Sequence, residues 1–143
     1  MFKNYKFHVA AYYSITVLYI VFFMGKRFDT DYKSIVNCIP FQKVFVFFEY
    51  QNYNDLGKLA EFFAELFGNI ILFVPFSFAI KQLFRMYYSL KKTVQIALIV
   101  SVSIECLQYL FNIGVVDIDD VILNVVGSYI GYLLFINPFK TRF

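Results

Sequence analysis

The chain has 143 residues, 60% of them hydrophobic and 22% aromatic, with 20 Phe and no Trp. Only 16% are charged, against about 25% in an ordinary soluble domain, and the apolar residues fall in long runs. That weighs against a soluble domain and points to one integral membrane domain over residues 1–143. A net charge of only +3, with the basic residues at the ends of apolar runs rather than along one face, argues against a nucleic-acid partner.

The first run, MFKNYKFHVAAYYSITVLYIVFFMGKR, is longer than the ~7–15-residue core of a signal peptide. GKRFD follows it where a small-residue cleavage site would stand. An uncleaved span over residues 8–24 is expected. His8, the one histidine, has no Cys, Asp or Glu nearby and reads as an interfacial or packing residue.

Residues 28–58 hold NCIPF (37–41) and KVFVFFEYQNYNDLGK (43–58), broken by Pro40, Lys43, Glu49, Asp55 and Gly57. An ordered loop with an interfacial segment is expected, because Phe and Tyr among scattered charges suit the headgroup boundary. The second span is expected at 61–80, kinked at Pro75, which removes a backbone donor. A basic loop with Lys81, Arg85, Lys91 and Lys92 follows. The third span is expected at 93–113, stopped by Gly114. The fourth runs from 120 to 136 and ends at Pro138. The expected fold is all-α: a small bundle of about four transmembrane helices, with the interfacial segment between the first two. Eight Lys and Arg residues fall on one side and five on the other, which places both termini in the cytoplasm and the acidic turn outside. Cys38 and Cys106 read as two unpaired small hydrophobes.

Three of these spans carry polar stripes. In the third, Ser101, Glu105, Gln108 and Asn112 follow at spacings of 4, 3 and 4, a stripe about 60° wide on a helix. A carboxylate facing lipid costs at least about 2.5–3.5 kcal/mol, so this face turns inward. In the fourth, Asp120, Asn124, Gly127 and Gly131 repeat the spacing, and the glycines admit a close neighbour. Glu61, Glu65 and Asn69 mark the second. Asn69 and Glu105 come out at similar depth, so an outward-opening polar pocket is expected between three helices. The amides Asn69, Gln108 and Asn124 also suit plain cross-helix hydrogen bonding. Asp117 and Asp120, at D-x-x-D spacing, suit helix capping. Glu105, with no basic partner in any span, is the candidate for a chemical role.

GNIILFVPFSF (68–78), SIECLQYLF (103–111), DIDDVILNVVGSYIGYLL (117–134) and NCIPF together resemble the motifs of the VanZ-like membrane proteins, in order and over nearly the whole chain. Where many relatives carry an Arg before the acidic turn, this chain has Val115 and Val116. The resemblance implies a multi-pass protein of the bacterial plasma membrane, tied to the cell envelope and to teicoplanin-type glycopeptide resistance. It implies no established reaction. Its motif positions give Asn69, Glu105, Gln108, Asp117, Asp120 and Asn124 as ligand-binding candidates.

Three functions compete. A non-enzymatic protein would bind an envelope component, such as a lipid-linked cell-wall precursor. An intramembrane enzyme would hold a divalent cation on Asp117, Asp119 and Asp120, with Glu105, against a lipid phosphate. No other cofactor is evident. Against the enzyme stands the expectation that no Lys or Arg lies near the pocket to meet a phosphate. An assembly factor would use the stripes against a membrane partner, and oligomerisation is left open.

Overall fold

The computed structural model describes residues 5–23, 36–49, 55–84, 89–111, 113 and 116–135. In order the elements are α1 (Tyr5–Phe23), β1 (Val36–Asn37), α2 (Gln42–Glu49), α3 (Leu56–Phe73), α4 (Phe76–Phe84), α5 (Leu90–Phe111), β2 (Val116–Asp117) and α6 (Ile118–Phe135). Asn112, Gly114, Pro138 and the basic residues Lys26, Arg27, Lys33, Arg85, Lys140 and Arg142 lie outside the described residues.

The chain is inverted with respect to a soluble protein. Its most completely buried side chains include Ser77, Thr93, Ser101, Asp117 and Ser128, alongside Phe73, whereas Ile71, Ile99 and Leu110 are each about two-thirds exposed. In water this arrangement would be untenable. In a bilayer the apolar side chains meet lipid, and the polar ones bond inside the bundle. Among the described residues three segments are long and apolar enough to cross a membrane: Leu56–Leu83, Leu90–Phe111 and Ile118–Phe135. The fourth expected span, α1, is a 19-residue helix but is not one of the three.

Pro75 breaks the second span as expected. Helix α3 ends at Phe73 and α4 starts at Phe76. Val74 stays helical and still donates to the Ile70 carbonyl at 3.0 Å, but Pro75 has no N–H to continue the ladder. Side chains tie the break to its neighbours: Tyr13 Oη donates to the Leu72 carbonyl at 2.6 Å and Ser77 Oγ to the Ser128 carbonyl of α6 at 2.6 Å. The N-terminus of α3 lies earlier than expected because Asp55 caps it, accepting from the N–H groups of Gly57 and Lys58.

Helix α6 is the centre of the bundle and packs on α3, α4 and α5, while α1 lies along α4. A side chain on Gly127 would strike the backbone of Ile70, and one on Gly131 the backbone of Val74. The two glycines therefore seat α6 against the break in the second span. A small apolar core of Val17, Val21, Phe73 and Ile104 joins α1, α3 and α5.

Residues 36–49, the described part of the loop between α1 and α3, add a strand pair to the expected ordered segment. Val36 and Asn37 pair in parallel with Val116 and Asp117. Helix α2 then exposes Phe45 and Phe48 and buries Phe47, whose ring stacks on Phe62 at 4.2 Å. This is the segment expected to lie at the interface, and it is pinned to α3 through Phe47 and Phe62.

Candidate functional site

The β1–β2 bridge carries Asn37 and Asp117 opposite one another, and this register builds the site. Asp117 is the residue before α6 and caps it, its Oδ1 accepting from the Asp119 N–H at 2.9 Å. The same oxygen accepts from Asn37 Nδ2 at 3.1 Å. The backbone N–H of Asp117 donates to Glu105 Oε2 at 3.0 Å. Asp117 is thus fixed from α5, from β1 and from its own helix, and is 1% exposed.

Its second oxygen faces a cation from an unexpected place. Lys43, in the first turn of α2, brings Nζ to 3.0 Å from Asp117 Oδ2, 3.4 Å from Glu65 Oε2 and 3.6 Å from Asp120 Oδ1. Burial alone favours the neutral amine, but the carboxylates of Asp120, Asp117 and Glu65 outweigh it and hold the Lys43 pKa above the ordinary lysine value. The expectation that no lysine lies near the pocket is therefore corrected. The cation comes from α2, outside every expected span, and the strand pairing, the Phe41–Asp119 hydrogen bond and the Phe47–Phe62 stack bring it in.

The turn before α2 is built for the same purpose. Ile39 N–H closes on Asn37 Oδ1 at 3.1 Å, and Phe41 adopts a left-handed φ of 62°. A non-glycine residue there is uncommon and carries strain. Here the strained residue donates its N–H to Asp119 Oδ1 at 2.6 Å. The NCIPF motif thus delivers two donors, Asn37 Nδ2 and Phe41 N–H, to two successive acidic side chains.

The remaining candidates do different work. Asn124 Nδ2 donates to Ser101 Oγ at 2.8 Å, joining α6 to α5. Gln108 Nε2 donates to the Val21 carbonyl at 3.2 Å, joining α5 to α1. Asn69 is half-buried, and its side chain makes no hydrogen bond to a described residue. The structure therefore brings Glu105, Asp117 and Asp120 together, with Asp119 beside them, and distributes the three amides elsewhere in the bundle. Among the described residues, Asp117, Asp119 and Asp120 do not converge as a metal-ligand set. Their described oxygen contacts run to Asn37, Asp119 N–H and Lys43 for Asp117, to Phe41 N–H for Asp119, and to Lys43 again for Asp120.

Two hollows flank the cluster. One, of about 40 Å³, lies between α2, α3 and α6 and is lined by the charged Lys43, Glu65, Asp119 and Asp120 and by apolar residues that include Phe41, Phe62, Leu66 and Leu123. The second is an open groove of about 510 Å³ beside α5, largely apolar, with Glu105 and Asp117 among its lining residues. Cys38 and Cys106, both free and exposed, line this groove together.

Comparison with known proteins places this architecture. A profile of the family described as VanZ/LLP1 matches residues 10–140. A curated relative, Protein VanZ from Enterococcus faecium, is 37% identical over 73 residues, which cover 51% of this chain and 45% of that protein. The chain thus spans about half the length of the curated relative it matches. No solved structure matches the chain. With the profile running through every element from α1 to α6, this membrane protein belongs to the VanZ/LLP1 family.

Proposed function

We propose that the chain is a multi-pass protein of the bacterial plasma membrane that supports teicoplanin-type glycopeptide resistance by binding an envelope component at the Lys43 cluster. The fold is read as four spans, α1 included, with both termini cytoplasmic and the cluster at the outer surface. One observation carries the binding reading: an ammonium and four acidic side chains meet beside helices that expose many large apolar side chains. Family membership supports the envelope and resistance setting. Binding is favoured over catalysis because Glu105, the candidate catalytic carboxylate, has an oxygen engaged by the Asp117 N–H and so positions the acidic turn.

The test is the teicoplanin susceptibility of a Gram-positive host expressing the chain. Wild type raises the inhibitory concentration. Lys43→Met and Asp117→Asn lower it again at equal membrane abundance. Glu105→Gln, which keeps an acceptor for the Asp117 N–H, retains most of the effect. Full resistance in both Lys43→Met and Asp117→Asn would sink the binding reading, and complete loss in Glu105→Gln would return the carboxylate to a chemical role.

A further inference from the structure

The Lys43 cluster makes no use of the open groove beside α5. That groove, of about 510 Å³, is lined by α5 between Val102 and Leu110, by Ile118 and Val121 at the start of α6, and by Val36 and Val116 of the strand pair. Val102, Cys106 and Leu110 stand at i, i+4 and i+8 on α5, so the groove follows this span for about 12 Å at 1.5 Å per residue. Half of the hydrocarbon core of a bilayer is about 15 Å deep. The groove therefore runs along most of one leaflet, starting in the last turn of α5.

The polar residues along it are already engaged. Asn37 Nδ2 donates to Asp117 Oδ1, and Asn37 Oδ1 accepts from the Ile39 N–H. Glu105 and Asp117 are only 5% and 1% exposed. What the groove presents is hydrocarbon, thiol and the Tyr109 ring. A held water needs two to four polar partners, which such walls do not supply. Val102, Cys106 and Leu110 line the groove and are themselves exposed, on a helix long and apolar enough to cross a membrane. The groove is thus continuous with the lipid-facing surface of α5. A flat helix face touches a hydrocarbon chain on one side; a groove along a span adds contacts on further sides, and dispersion sums over all of them.

We propose that this groove binds one acyl chain of a membrane lipid, laid along α5 between Leu110 and Val102. The walls recognise the chain and not the headgroup. The inference is independent of the Lys43 site.

The test is native mass spectrometry of the full chain released from nanodiscs of dioleoylphosphatidylcholine or, separately, of dioleoylphosphatidylglycerol. One lipid should stay on the chain in both cases. The double variant Val102→Trp/Cys106→Trp fills the groove from two successive turns and should cut the retained fraction at least tenfold. Val36→Asp lies outside every span and sets a carboxylate among the lining side chains, which is costly against hydrocarbon; it should do the same. Ile71→Trp, on the exposed face of α3 and outside the groove, should retain lipid as wild type does. The thermal midpoint in detergent identifies the variants that keep the fold, and the comparison of headgroups needs no variant. Wild-type retention in either folded groove variant, an equal loss in Ile71→Trp, retention of only one of the two lipids, or no retained lipid overturns the proposal. A dimer of the chain that the double variant dissolves assigns the groove to a second copy and overturns it as well.

Discussion

Asp117 is held by three elements and offers one oxygen to an ammonium 3.0 Å away. Its carboxylate is buried while Lys43 keeps about a third of its side chain in solvent. Asp117→Asn should therefore destabilise the fold by about 1–3 kcal/mol, below the ~3–5 kcal/mol of a fully buried pair. The thermal midpoint in detergent measures this. The pH dependence has a definite sign. Folding raises the Lys43 pKa above its ordinary 10.5, so the stabilisation is complete below about pH 10.5 and lost as pH climbs beyond it. The gap in midpoint between wild type and Lys43→Met should stay constant from about pH 7 to about pH 10 and close above that; a gap that closed below about pH 9 would contradict the pairing. At this scale the sequence was half legible. The stripes singled out Glu105 and Asp120, since each stripe lies on one helix, and Asp117 stood out by its D-x-x-D spacing to Asp120 and by its motif position. Spacing carries no information on Lys43, which reaches Asp117 through contacts that include a strand pair linking residues 80 positions apart. The one clue was NCIPF, whose Asn and Pro mark a shaped turn.

At the level of the elements, the glycines give the sharpest contrast. Gly127 and Gly131 lie against the backbone of the second span, whereas Gly68 has nothing near its missing side chain. Gly131→Leu should push α3 and α6 apart and cost at least ~1–3 kcal/mol. Gly68→Ala should be neutral or stabilise by about 0.5–1 kcal/mol. Comparing the two midpoints in detergent checks both, and equal effects would refute the packing. The four long helices and the Pro75 break were legible because apolar run length and proline chemistry are local. The partner of the glycines was not. A short turn between the third and fourth spans favours their pairing, but in the structure the small-residue face of α6 receives α3 and the polar Asn124 face receives α5. The strand bridge was also illegible, since two residues per strand leave no alternation to read.

For the whole molecule, the buried polar and exposed apolar pattern predicts where water-soluble reagents can reach. Cys38 is exposed beside the acidic cluster, and Cys106 is exposed on α5. With Cys106→Ser in place, a membrane-impermeant maleimide should label Cys38 in intact cells if the cluster lies outside. Labelling only after lysis would reverse the proposed orientation. The central position of α6 has a further consequence, in the order in which the chain is made. It is the last of the described helices to leave the ribosome, yet it supplies the surface on which α3, α4 and α5 converge. Until Asp117 emerges, Lys43 has no buried counter-ion, Phe41 has no acceptor for its N–H, and the backbone at Ile70 and Val74 has no glycine face to meet. The convergence of α3, α4 and α5 must therefore wait for α6, and a nascent chain arrested before residue 117 should be short-lived in the hands of membrane proteases, while one released after α6 is complete should persist.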